Sequence, residues 1–169
     1  MSVETVRNDI TAAFIDVIRP NACTNYTRDG IEGFRLIYVI QKTWVELATD
    51  LQFMAMHSFD EIFLMNEQCF AYYFPGYLLA VISLERVFVE MVVDSLRRIL
   101  NPSESDHIAQ NIAASLSARL TSGQKRALVH WIELEITREK DCLPDWNCQD
   151  AHQTDWQVAL VIWREGNAK

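Results

Sequence analysis

Three side chains near the carboxyl end of the sequence are of the types that bind zinc. Cys142, Cys148 and His152 could supply two thiolates and an imidazole, with His130 or Asp145 as a fourth ligand. Their spacing, Cys-x5-Cys-x3-His, differs from the short Cys-x2-4-Cys unit that forms half of a tetrahedral zinc site. We therefore interpret the two cysteines as a loop thiol and a small packing residue, and we expect no metal and no other cofactor.

Motifs for nucleophilic catalysis are missing from the sequence. It contains neither a Gly-x-Ser-x-Gly elbow nor a glycine-rich phosphate loop, and its four histidines have no flanking motif. Glu133 and Glu135 are two residues apart, so on a helix they point in nearly opposite directions and are expected to lie on its solvated surface. The sequence therefore favours a protein that is not an enzyme.

The tyrosines around Pro75 are the most unusual local feature. Tyr72, Tyr73 and Tyr77 each combine a large apolar ring with a hydroxyl that needs a partner when buried, and a proline frees a carbonyl one turn earlier. We interpret this block as a structural element at the centre of the fold. The alternative is an enzyme or small-molecule-binding protein with a pocket at the Pro75 kink, lined by the three tyrosines.

The charge of the chain is negative and uneven. The formal net charge is -8, and Met1 to Glu85 carries 5 basic against 11 acidic residues. Phosphate backbones and anionic lipids are repelled by such a field, which excludes nucleic acid and membrane as expected partners. A basic protein is the better match, because opposite fields accelerate encounter.

The candidate contact residues for such a partner are acidic side chains and one tryptophan. Two of the carboxylates are one helical turn apart, and the tryptophan lies among acidic residues of the C-terminal segment. The set is Glu46, Asp50, Asp60, Glu61, Asp145, Trp146 and Asp150. Trp156 and Trp163 are seven residues apart, and we expect them either to join this interface or to dock the last helix.

Cysteine usage and the N-terminus predict the compartment. The four cysteines are too few and too scattered for a disulfide framework, so reduced thiols are expected at Cys23, Cys69, Cys142 and Cys148. Met1 to Glu4 has neither the basic nor the apolar region of a signal peptide, and we expect a cytoplasmic protein. The uncharged stretch between Glu67 and Glu85 is interrupted by Pro75 and is shorter than the roughly 20 residues of a membrane span.

Apolar residues recur at intervals of three and four through most of the chain, which predicts helices. Ser2 is expected to cap a first helix ending at Arg19-Pro20, and a second helix is expected from Ile31 to Met54, with a break near Gln41-Lys42 as an alternative. A strand over Phe34 to Ile40 is the competing interpretation.

Further caps predict the remaining helices. Asn66 is expected to cap a helix that ends or kinks near Tyr73-Phe74, after which Pro75 begins a long helix to Leu100. Ser103 is expected to open the next helix, and Thr121-x-x-Gln124 has the form of a capping box. The sequence thus predicts a single all-α domain over 1-169, an irregular bundle of about six helices with a Pro-kinked central helix.

Three local patterns resemble an uncharacterised bacterial family known as a domain of unknown function. The block from Phe70 to Leu79 is similar to its Phe-x-Tyr-Tyr-Leu-Pro-x-Tyr-Leu stretch, with Phe74 in place of leucine and Gly76 in place of alanine. Trp44 in a helix upstream and a Leu-Thr-x-x-Gln element are the others. The resemblance covers roughly 34-136 and leaves out the C-terminal loop and helix at 139-169; it implies a helical fold and no mechanism.

The function expected from these features is non-catalytic binding of a basic protein. Its most concrete form is a bacterial immunity or inhibitor protein that neutralises a basic toxin domain by occlusion. The alternatives are the tyrosine-lined pocket described above and a homodimer with a self-complementary apolar surface, so the chain is expected to be a monomer or a homodimer.

Overall fold

A computed structural model describes residues 1–23, 31–50, 61–142 and 149–165, with side chains described in these ranges except at 31–35, 61, 140–142 and 149–154. Every regular element in this part of the chain is a helix, which confirms the predicted all-α class. The helices are α1 (Val3–Phe14), α2 (Ile31–Ile40), α3 (Trp44–Leu47), α4 (Glu61–Leu64), α5 (Glu67–Ser83), α6 (Arg86–Leu100), α7 (His107–Arg119), α8 (Ser122–Cys142) and α9 (Gln149–Glu165). No helix within the described ranges is long and apolar enough to cross a membrane.

The chain divides into two compact units, and the prediction of a single domain stays a prediction. We call Met1–Ala13 together with Arg97–Lys169 the terminal unit, and Phe14–Leu96 the middle unit. Each unit has its own buried apolar residues.

In the terminal unit, α8 and α9 are held together by tryptophans. Trp131 and Trp156 are fully buried and meet edge to face, with ring centroids 5.4 Å apart. Trp163 is also buried, and its indole N–H donates to the Leu100 carbonyl over 3.1 Å. Trp156 and Trp163 thus dock the last helix, as one of the two interpretations of their spacing expected.

The start of α8 shows the predicted capping box. The Gln124 amide N–H donates to the Thr121 hydroxyl over 3.3 Å, and the Gln124 side-chain oxygen accepts from the Thr121 amide over 3.0 Å. The side-chain NH₂ of Gln124 also donates to the Ala13 carbonyl of α1 over 3.1 Å. Gln124 therefore takes part in capping the first turn of α8 and also links α8 to α1 by a hydrogen bond.

In the middle unit, α5 is the central helix, and nearly all of its residues from Cys69 to Ile82 are buried. Asn66 caps it as predicted, with its Oδ1 accepting the Cys69 amide over 2.9 Å. Phe70 and Phe74 of α5 contact each other, with ring centroids 5.6 Å apart, and Phe74 contacts Phe14 edge to face. The tyrosine block around Pro75 thus lies in the core of this unit.

The predicted break at Pro75 is wrong. Pro75 lies inside α5, and the helix ends instead after Ser83, where Leu84 has an extended backbone (φ -108°, ψ 161°). A proline inside a helix removes the amide that would bond the carbonyl four residues earlier, here that of Ala71. Because α5 is buried on all sides, side-chain packing outweighs that loss and keeps the helix continuous. A kink at Pro75 stays a prediction.

Three other predicted boundaries differ from the structure. The first helix ends at Phe14, well before Arg19. The second ends at Ile40, at the break near Gln41-Lys42 that was the alternative to a continuous helix, and Thr43 caps the separate short helix α3 through a capping box with Glu46. The helix expected to open at Ser103 begins at His107 and is capped by Asp106, whose carboxylate accepts the Ala109 amide over 3.1 Å. Nine helices lie in the described ranges. The helices α3 and α4, of four residues each, are too short for a periodicity to show, and the long helix expected from Pro75 to Leu100 is divided at Leu84.

The expectation of reduced thiols is wrong for Cys23 and Cys69, which form a disulfide across 46 residues of sequence. Asn66 places the two cysteines together. Its amide donates to the Cys23 carbonyl over 3.1 Å, its side-chain NH₂ donates to the Ala22 carbonyl, and its Oδ1 caps the turn that carries Cys69. A tertiary contact made by an asparagine thus decides the pairing, and spacing gave no sign of it.

Candidate functional site

Asp50, one of the predicted contact residues, is engaged inside the middle unit. Its Oδ2 lies 2.7 Å from the Lys42 ammonium and accepts the Tyr38 hydroxyl over 2.8 Å. The same ammonium lies over the Tyr38 ring, 4.6 Å from its centroid. These hydrogen bonds to Asp50 and Tyr38 raise the pKa of Lys42. The Asp50 charge is therefore neutralised within the middle unit.

Glu46 is exposed, as expected, but it does not share a helical face with Asp50. The helix that carries Glu46 ends at Leu47, so the predicted one-turn relationship is lost. The Glu46 carboxylate accepts the Thr43 amide over 2.7 Å and the Thr43 hydroxyl over 2.8 Å. These two hydrogen bonds hold the pKa of Glu46 below its usual value. The role visible for Glu46 is that of a helix cap.

No side chain is described for the other predicted contact residues. Asp60, Asp145 and Trp146 lie outside the described residues, and the Glu61 and Asp150 side chains also lie outside them, although their backbones belong to α4 and α9. The same holds for the zinc candidates Cys142, Cys148 and His152. Within the described part of the chain, no three histidine, cysteine, aspartate or glutamate side chains are grouped to hold a metal ion.

The tyrosine block fills the core of the middle unit. Tyr73 and Tyr77 are fully buried and Tyr72 nearly so, and the rings of Tyr72 and Tyr73 meet edge to face. The Tyr73 hydroxyl donates to the Lys42 carbonyl over 2.8 Å, a partner different from the carbonyl freed by Pro75. Burial raises the pKa of Tyr73 to about 12. These contacts support the structural interpretation of the block over a ligand pocket at Pro75.

Two acidic residues of α8 are buried, contrary to the solvated helix surface expected at Glu135. Glu135 is fully buried and pairs with Arg138 over 3.0 Å. Glu139, also buried, pairs with Arg97 over 2.8 Å and accepts the Trp156 indole N–H over 2.9 Å. Both glutamates lie seven residues after buried positions, Leu128 and Ile132, and this heptad spacing was the signal for their burial.

The outer side of α6 presents apolar and acidic side chains together. Val87, Phe88 and Met91 have exposed fractions of 72%, 38% and 44%, whereas Val89, Val92, Val93 and Leu96 are fully buried. Glu90 is exposed beside them, and Asp94 is half-buried one turn further along. We call Val87, Phe88, Glu90, Met91 and Asp94 the α6 face. The sequence indicated the buried side of this helix. It did not indicate the exposed apolar side, because valine and methionine are common both in cores and on such surfaces.

A groove in the terminal unit brings together an aspartate, a histidine and an arginine. Its volume is about 260 Å³, and it is lined by Asp9, Ala12, Ala13, Gly123, Arg126, Ala127 and His130. The His130 Nδ1 lies 2.7 Å from the Asp9 Oδ2, and both side chains are about one-third exposed. Arg126 and His130 are one turn apart on α8, which the sequence shows, but Asp9 arrives from α1, 121 residues away, and no local pattern could indicate it.

The chain matches no protein-family model, no curated protein and no solved structure. The resemblance to a bacterial domain of unknown function, drawn from Trp44, the tyrosine block and the Leu-Thr-x-x-Gln element, therefore stays a prediction.

Proposed function

We propose that this protein is a non-catalytic binding domain that holds a basic partner protein against the α6 face. Its most concrete form is an immunity or inhibitor protein that neutralises a basic toxin domain by covering it. The observation that carries the proposal is the exposure of Val87, Phe88 and Met91 next to carboxylates on one helix. Contiguous apolar side chains with a charged rim are typical of protein-binding surfaces.

The chemistry of the α6 face favours one kind of partner. Phenylalanine and methionine are enriched at interfaces, and methionine adapts its shape to an apolar group of a partner. Glu85 and Glu90 are exposed along the same stretch, in a chain whose net charge is -8. The complementary surface carries apolar residues flanked by lysine and arginine. A symmetric homodimer through this face would place carboxylates against carboxylates, which disfavours the self-association considered from the sequence.

The compartment in which the partner is met is part of the proposal. A cytoplasmic location, expected from the sequence, stays a prediction, and the Cys23–Cys69 disulfide weighs against it because such bonds persist mainly in oxidising compartments. An inhibitor that meets its target outside the reducing cytoplasm is compatible with the same α6 face.

The test uses the product of the reading frame next to the gene, purified as a catalytically silenced domain. Binding is measured by calorimetry, and relief of growth arrest is measured on co-expression of the active form. We expect Met91→Glu to weaken binding at least about tenfold and to abolish relief, because it puts a charge in an apolar contact. Val161→Glu, at a valine of α9 that is also exposed, is the control and is expected to change neither.

The second measurement is the dependence of the association rate on salt concentration. The association rate is expected to fall between low and high ionic strength, because screening removes the attraction between an acidic face and a basic partner. Lack of binding to the neighbouring product, or equal losses in Met91→Glu and Val161→Glu, would refute the proposal.

A further inference from the structure

The groove of the terminal unit contains an arginine, a histidine and alanine side chains, which can contact the charged, the hydroxyl and the apolar part of a small anion. Its volume of about 260 Å³ lies just below the range of pockets for drug-sized ligands, so its occupant is smaller than such a ligand. The space exists because four of the seven lining residues, Ala12, Ala13, Gly123 and Ala127, are alanine or glycine. This feature is independent of the α6 face.

The Asp9–His130 pair fixes which ring nitrogen a ligand meets. An ionised carboxylate only accepts hydrogen bonds, so the His130 Nδ1 carries the hydrogen that points to the Asp9 Oδ2, 2.7 Å away. A ring that carries its hydrogen on Nδ1 alone keeps its Nε2 as an acceptor. Since His130 lines the groove and its Nδ1 is occupied, Nε2 is the atom left for a donor group of a ligand.

Arg126 supplies the positive charge. It is exposed, lines the same groove one turn before His130, and makes no ion pair with any described residue. A guanidinium binds a carboxylate through two parallel hydrogen bonds, a geometry that a lysine does not offer. The alanine side chains complete the site with an apolar wall.

We propose that this groove binds a small α-hydroxycarboxylate, with its carboxylate on Arg126, its hydroxyl donating to the Nε2 of His130, and its short alkyl group against Ala12, Ala13 and Ala127. The three contacts match the three parts of such a ligand, and the one-turn separation of Arg126 and His130 suits the short distance between a carboxylate and its neighbouring hydroxyl. Asp9 acts as a positioning residue that orients the His130 ring.

The test titrates the full chain with L-lactate, followed by ¹H–¹⁵N NMR shifts of α1 and α8. We expect saturable shifts at Ala13, Gly123, Ala127 and His130 with a dissociation constant of about 1 mM, equivalent to about 4 kcal/mol. Propionate, which lacks the hydroxyl, is expected to bind several-fold more weakly. Inorganic phosphate shares only the anionic charge and is expected to bind more weakly than lactate.

Variants distinguish binding in the groove from nonspecific attraction of the anion to positive charges of the chain. Arg126→Gln is expected to weaken lactate binding at least tenfold, and Lys125→Gln, which removes the same charge from the adjacent position, is expected to leave it unchanged. Ala12→Leu fills the groove from an exposed position of α1 and is expected to abolish binding without disturbing the core. Circular dichroism checks that each variant is folded.

Three outcomes would overturn the proposal. They are the absence of saturable lactate shifts at about 100 mM, equal binding of lactate and propionate or phosphate, and equal losses in Arg126→Gln and Lys125→Gln. The absence of saturable shifts would show that the groove does not bind lactate. Equal binding of the other anions would show that His130 does not recognise the hydroxyl, and equal losses in the two variants would show that Arg126 contributes only to the overall charge.

Discussion

The α-carbon of Gly76 lies so close to the backbone of Trp44 that a side chain does not fit between them. A β-carbon built on Gly76 would be 2.5 Å from the Trp44 carbonyl oxygen and 3.2 Å from its carbonyl carbon. The neighbour is backbone, which cannot turn aside as a side chain does. The glycine thus sets the distance between α3 and the central helix α5.

Replacing Gly76 by alanine is expected to destabilise the protein by about 1–3 kcal/mol, because α3 must move away from α5. This loss opposes the roughly 1 kcal/mol by which alanine favours a helix over glycine. Urea denaturation measures the free energy of unfolding. Gly123→Ala is the control, since its β-carbon would meet nothing closer than the Thr121 Oγ1 at 3.9 Å; a loss at Gly123 as large as that at Gly76 would contradict the steric explanation.

Reducing the Cys23–Cys69 disulfide is expected to lower the free energy of unfolding by about 4 kcal/mol, the loop-closure entropy for a separation of 46 residues. Thermal unfolding with and without a reductant measures the loss. The double variant Cys23→Ser/Cys69→Ser is expected to show the lower stability under both conditions. A peptide map without reduction that fails to link the two cysteines would rule the bond out.

Trp156→Phe is expected to cost more stability than Trp163→Phe, although both changes remove the same atoms. The Trp156 N–H donates to a buried carboxylate, that of Glu139, whereas the Trp163 N–H donates to a neutral carbonyl. Hydrogen bonds to charged groups contribute about 1.5–3 kcal/mol and neutral ones about 1 kcal/mol, so we expect a difference of about 1 kcal/mol in urea denaturation. Equal losses would show that the charge of Glu139 adds nothing.

The stability of the protein is expected to fall at alkaline pH through Tyr73. Burial raises the pKa of Tyr73 from 10 to about 12, so its contribution is fully present below pH 10 and is lost as the pH rises toward about 12. The free energy of unfolding measured between pH 9 and pH 12 checks the direction. Tyr73→Phe is expected to flatten this dependence, and an unchanged slope in that variant would assign the loss to other groups.

The sequence alone determined the helical class and several helix ends. Apolar side chains at intervals of three and four require helices, and Asn66 and the Thr121–Gln124 capping box act within one turn of the chain, so their effects can be read locally. The burial of the tyrosine block follows in the same way from its apolar composition.

Tertiary structure decided what depends on distant contacts. Pro75 stays inside α5 because that helix is buried on all sides. Asn66 brings Cys23 close to Cys69, and Lys42 forms an ion pair with the Asp50 carboxylate. The Asp9–His130 pair joins two helices more than a hundred residues apart. Local patterns report only what neighbouring residues do to each other, whereas these features arise when separate helices are packed together.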